Sequence, residues 1–154
     1  MKILFLLMSV SHSKKRDISR FLEAQEHSYE RALKEIKNGR KSSCWMWYIF
    51  PQIQGLGISG TTEYYSIEDL DEAKEYMNNE TLRGRLIEIS EALLGLESSN
   101  PNEVLGYPDD LKLKSCMTLF GIAAPEEEVF QKVLDKYYKG ERDEKTIEKL
   151  KTES

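Results

Sequence analysis

Apolar residues recur along this chain at the spacing of amphipathic helices rather than strands. From Asp17 onward, Ile18, Phe21, Leu22, Gln25, Tyr29, Ala32, Leu33 and Ile36 share one face of a 3.6-residue repeat. Asp17 suits an N-cap and Asn38-Gly39 a stop, so the spacing predicts one helix between them. Cys44 to Phe50 is apolar without interruption until Pro51. Periodicity does not separate a buried helix from a buried strand there; with no partner strand in view, the reading is a short buried helix. A glycine-rich loop spans Gln52 to Gly60. Asp69 caps a helix through Met77, and Thr81 caps the next, whose stripe is Leu82, Leu86, Ile89, Leu93 and Leu96. Asn100-Pro101 begins a short turn ending near Gly106. Pro108 opens a helix through Ala123 that is apolar on most sides from Cys116. Pro125 and the three glutamates after it open another, stopped by Gly140. The expected fold is all-α, a single domain in which about seven short helices form an orthogonal array. It occupies 17–140, after an apolar and basic extension at 1–16 and before a charged tail at 141–154 that forms a frayed helix.

Charge narrows the range of functions. The 154-residue chain carries net charge −5, and the stretch Glu63 to Asp110 holds 13 acidic residues against Lys74, Arg83 and Arg85. Such a belt repels phosphate backbones, so nucleic acid is not an expected partner. The early residues are basic by contrast, and Arg40 and Lys41 leave room for a small anion. Two cysteines, Cys44 and Cys116, make no disulfide framework and suit a reducing compartment. Met1 to Val10 resembles a signal peptide, but its apolar run is short and Lys14-Lys15-Arg16 follows it. The expectation is an extension, or a start at Met8, and a cytoplasmic protein without a membrane span.

Most familiar chemistries find no support. Gly55, Gly57 and Gly60 spell G-x-G-x-x-G, but no second strand follows to build a dinucleotide unit, and a tight loop accounts for the glycines. His12 and His27 lie on polar stretches without a nearby nucleophile. Two histidines and two separated cysteines give no metal-ligand spacing, so neither metal nor cofactor is expected. The informative residues are polar groups in apolar company: Gln25 on the first helix, and Ser115 and Thr118 beside Leu111 and Ile122. Buried without partners, such groups cost ~1–3 kcal/mol each. They are therefore either bonded within the protein or turned toward a ligand. Trp45 and Trp47 are open in the same way, as core or as an aromatic pocket wall with Lys41, Tyr48 and Gln52.

Longer blocks carry a resemblance. Phe21-x-x-Ala24-Gln25-x-x-x-Tyr29, Gly39-Arg40-Lys41, Trp45-Met46-Trp47-Tyr48-Ile49-Phe50-Pro51-Gln52 and Gly55-Leu56-Gly57-x-Ser59 are similar to a bacterial family of unknown function, DUF1810. Gly106-x-Pro108-Asp109-Asp110-Leu111-Lys112-Leu113-x-Ser115-x-Met117-Thr118-Leu119-Phe120 continues the match. The resemblance implies a helical bacterial protein of the cell interior and supplies no catalytic residues. It departs at Cys44, where the pattern often has His, and at Cys116, where it often has Ser. Two hypotheses follow. One is a non-enzymatic module binding a small polar or anionic ligand, or a protein partner, through residues among Gln25, Tyr29, Lys41, Trp45, Trp47, Gln52, Ser59, Lys112, Ser115 and Thr118. The other is an enzyme acting on a small metabolite with Lys112, Asp109 or Asp110, and Ser115 beside the aromatic wall.

Overall fold

A computed structural model describes residues 17–56 and 63–153. Its named helices are α1 (Ser19–Glu26), α2 (Tyr29–Lys37), α3 (Met46–Ile49), α4 (Leu70–Asn78), α5 (Glu80–Leu94), α6 (Pro101–Leu105), α7 (Asp109–Ala123), α8 (Val129–Tyr138) and α9 (Glu144–Glu153). Among the described residues, β pairing is limited to one parallel bridge between Ile53 and Ile67. The architecture is all-helical, with nine named helices rather than about seven. The extra count has local causes at the two ends of the chain.

The first predicted helix is two. Ser28 Oγ donates to the Ala24 carbonyl at 3.1 Å, and the Ser28 N–H turns instead to Gln25 O. A serine hydroxyl that takes its own i−4 carbonyl competes with the helix ladder, and here the chain bends. The two halves then divide their packing: α1 lies chiefly on α3 and also touches α5, and α2 lies on α5. The helix expected to begin at Thr81 is capped two residues earlier, where Asn79 Oδ1 accepts from the Leu82 N–H at 3.0 Å. Residues 144–153, expected as a frayed tail, form a helix seated on α7, with Thr146 buried and Leu150 against the core.

α7 is the axis of the molecule. Leu113, Cys116, Met117, Leu119 and Phe120 are all inaccessible, because α4, α6, α8 and α9 pack around it. A helix apolar on most sides belongs in the middle of a core. An aromatic line crosses the core from α1 to α8: Phe21 meets Tyr76 at 5.2 Å, Tyr76 meets Phe120 at 5.0 Å, and Phe120 meets Phe130 at 6.2 Å. At the polar start of α7, Asp109 to Lys112 emerge from this packing. This is the part that faces the cleft described next.

Candidate functional site

The two tryptophans of this segment meet different surroundings. Trp45 precedes α3 as its N-cap, with non-helical backbone (φ −147°), and Trp47 lies within the helix. Trp45 is 1% exposed and sits in the core, whereas Trp47 is half-buried. The indole N–H of Trp45 donates to Glu35 Oε1 at 2.8 Å. Glu35 also accepts from the Ser42 and Ser43 N–H groups and from Ser43 Oγ. Burial alone would raise its pKa; the hydrogen bonds from Ser43, Ser42 and Trp45 outweigh that and lower it to about 2. Glu35 thus ties the loop after α2 to the start of α3. It was not singled out from sequence because it reads there as one solvated charge among many.

Around the two indoles lies a line of alternating charge and ring. Lys41 Nζ stands 5.2 Å from the Trp45 ring centroid, and Lys112 Nζ 5.5 Å from that of Trp47. Asp109 joins the two cations: its Oδ2 is 2.8 Å from Lys41 Nζ, and its Oδ1 is 3.5 Å from Lys112 Nζ. The three side chains are only 12%, 17% and 22% exposed, in the order Lys41, Asp109, Lys112.

Lys112 opens onto a cleft of about 880 Å³ between the start of α7 and the start of α9. Gln52 and Leu56 line it from the loop after α3, Leu111, Lys112 and Ser115 from α7, and Lys145 and Ile147 from α9. Leu111 is 52% exposed, whereas Leu113 and Leu119 on the same helix are fully buried. The loop runs directly beneath α9. Gly55 has φ +90, and a Cβ there would lie 2.8 Å from Lys149 Nζ.

Ser115 and Thr118 hold this wall together. Ser115 Oγ donates to Asp143 Oδ2 at 3.2 Å, besides its bond to Leu111 O. Thr118 Oγ1 accepts from the Asp143 N–H at 2.8 Å. Asp143 in turn caps α9, taking the Thr146 N–H and hydroxyl on Oδ2. The two hydroxyls that looked anomalous on α7 are the dock for the cap of α9.

Gln25 and Tyr29 belong elsewhere. Gln25 Nε2 donates to the Tyr48 carbonyl at 2.8 Å and to Tyr76 Oη, and its Oε1 accepts from Arg85 at 3.2 Å. Tyr29 Oη donates to Glu88, and burial with that carboxylate raises its pKa well above the ordinary tyrosine range. Both are closed within the protein. Asp110 is not among the residues that line the cleft, and its carbonyl accepts from Tyr138 Oη. Of the residues expected together, Gln52, Lys112 and Ser115 share the cleft; Trp47, Asp109, Lys41 and Trp45 back Lys112; Gln25 and Tyr29 face other contacts. Ser59, and with it Gly57 and Gly60, lies outside the described residues.

Other groups offer less chemistry. Cys44 is exposed, and burial pushes the Cys116 thiol well up, which keeps it protonated. Among the described residues, no group of three or more histidine, cysteine or acidic side chains could hold a metal ion. None of the helices there is long and apolar enough to cross a membrane.

A helical domain built on one buried axial helix, with a cleft at its polar end, is the class of protein these observations define. The chain belongs to the DUF1810 family, described as a protein of unknown function, whose family model matches residues 15–150. It is similar to the conserved hypothetical protein Rv1873 from Mycobacterium tuberculosis, known from a crystal structure. The two share 39% identity over 88% of this chain and 96% of that one, with a TM-score of 0.86. No curated protein matches.

Proposed function

We propose that this protein is a binding module for a small polar or anionic ligand, held in the cleft between the starts of α7 and α9. The observation that carries the reading is the cleft itself. Its about 880 Å³ falls within the ~300–1,000 Å³ typical of small-molecule sites. Leu56, Pro108, Leu111 and Ile147 give it an apolar patch. Charged and polar side chains from α7 and the start of α9 make up most of the rest of the wall, which suits a ligand with both a polar and an apolar part. Its concavity favours a small ligand over a protein partner. The enzymatic alternative gains no comparable support: Ser115 is engaged with Leu111 and Asp143, and among the described residues no histidine lines the cleft beside it.

A thermal-shift screen of small metabolites tests the reading. A ligand at a hundred times its Kd stabilises by about 2.7 kcal/mol. The expected result is a set of stabilising compounds whose effect disappears in Leu111→Glu, an exposed position that should fold normally, and persists in His27→Ala on the solvent face. Compounds that stabilise both variants equally, or no stabilising compound at all, would overturn it.

A further inference from the structure

Building on that reading, we infer that the cleft takes a small carboxylate with an apolar body, its anionic end at Lys112 and its body along Leu111, Leu56 and Ile147. The argument starts from the charge count of the group behind the cleft. Lys41, Asp109 and Lys112 form one connected set, two cations sharing one carboxylate, with net charge +1. All three side chains are at most 22% exposed, so solvent screens this charge poorly. The sharing is unequal. Asp109 approaches Lys41 at 2.8 Å and Lys112 at 3.5 Å, so its carboxylate is spent chiefly on the cation that does not line the cleft. Lys112, the member of the set that does line it, is left with the longer ion pair and the face of Trp47 at 5.5 Å. An ammonium carries three donors, and a π-face and one long contact leave capacity for an anion.

The surroundings select the anion's other end. Leu111 is half exposed next to Lys112 in the chain, and Leu56 and Ile147 line the same cleft. A fully solvated inorganic ion would leave this apolar surface wet, whereas an aliphatic or aromatic carboxylate covers it while its head meets the ammonium. Lys114, the next cation on α7, is paired with Glu141 at 3.4 Å and stands 5.9 Å from the Tyr138 ring. Arg142, Glu144 and Lys145 also line the cleft but are exposed, so water screens their charges more than that of Lys112. The Asp143 carboxylate is taken up by Ser115 and Thr146.

The shared carboxylate gives the proposal a distinctive test, because removing either member of the Lys41–Asp109 pair has a calculable sign. Hexanoate and its neutral counterpart hexanamide are titrated into the 15N-labelled protein, following the backbone amides of Leu111, Lys112, Ser115, Lys145 and Ile147. Hexanoate should shift these amides saturably and bind about tenfold more tightly than hexanamide, a difference of about 1.4 kcal/mol. Lys41→Gln frees Asp109 to neutralise Lys112 completely, so the preference for hexanoate should vanish although Lys41 does not line the cleft. Asp109→Asn raises the local charge to +2 and should strengthen hexanoate binding. Both variants break the same ion pair, so a merely structural effect would move them in one direction. Equal binding of the two compounds, or a preference that survives Lys41→Gln, overturns the carboxylate inference and leaves the cleft reading standing. So does the absence of any shift at these amides. The cleft reading itself fails only if the metabolite screen also yields no compound sensitive to Leu111→Glu.

Discussion

At the scale of single residues, the two tryptophans have unequal roles. Trp45 is 1% exposed, packs 6.3 Å from Phe50 and donates its indole N–H to Glu35. Trp45→Ala should cost about 3–5 kcal/mol, read as a lowered urea midpoint. Trp47→Ala removes a half-buried ring whose face meets Lys112, and should cost distinctly less. Equal midpoints would show that Trp47 is core as well. Glu35 carries a pH signature. Its pKa lies at about 2 when folded, below the ordinary 4.5. The stability it contributes is therefore complete above pH 4.5 and is lost as pH falls toward 2. Glu35→Gln should flatten the acid limb of a stability–pH curve across that window and lower the neutral plateau. A wild-type curve and a variant curve that stay parallel through it would contradict the assigned hydrogen bonds.

At the scale of elements, α9 is the test case. It is bound through its cap: Asp143 accepts from Thr146 and Ser115, and its N–H donates to Thr118. Removing an N-cap side chain costs about 1 kcal/mol, and here the same carboxylate also joins α9 to α7. Asp143→Ala should therefore accelerate amide hydrogen exchange across residues 146–151, while α7 and α8 keep their protection. Uniform acceleration throughout the molecule would mean that α9 unfolds only with the core. α5 ends in a comparable way. The Leu93 carbonyl accepts from Tyr137 Oη at 2.6 Å, and Lys136 reaches the Leu93 and Leu94 carbonyls at 3.3 and 3.0 Å. A lysine near the last turn satisfies carbonyls that the helix itself leaves open.

At the scale of the whole molecule, one buried ion pair ties distant parts of the chain together. Arg20 on α1 is 3.0 Å from Glu72 on α4, and the two side chains are 3% and 9% exposed. The guanidinium also donates to the Asp17, Tyr64 and Ser66 carbonyls, and Glu72 accepts from the Glu68 N–H. Removing one partner of such a pair leaves an uncompensated charge in the interior, typically at a cost of 3–5 kcal/mol. Arg20→Met should lower the melting temperature sharply, and Arg20→Met with Glu72→Met should recover part of the loss. A double variant no more stable than the single one would place the contribution in the carbonyl bonds rather than the pair.

Amphipathic spacing in the sequence carried the class of fold, because a helix in a domain of this size must bury one stripe and expose the other. It placed α4, α6, α7 and α8 near their observed positions, and it marked α7 as apolar on most sides from Cys116 onward. Caps were legible where the side chain has one obvious backbone target, as at Asp69 and Asn100. They were missed where two residues compete, as Asn79 does with Thr81. The split at Ser28 was invisible because both halves keep the same apolar phase, and the deciding bond is a hydroxyl taking a carbonyl four residues back. Composition marked the residues that needed partners and could not assign the partners. Gln25, Ser115 and Thr118 look alike on their helices. Gln25 closes on Tyr48, Tyr76 and Arg85, while Ser115 and Thr118 meet an aspartate 28 and 25 residues further on. The cleft and the unequal division of Asp109 between Lys41 and Lys112 exist only once α3, α7 and α9 have packed. Periodicity records how one helix meets water, and a concave site is a relation among several.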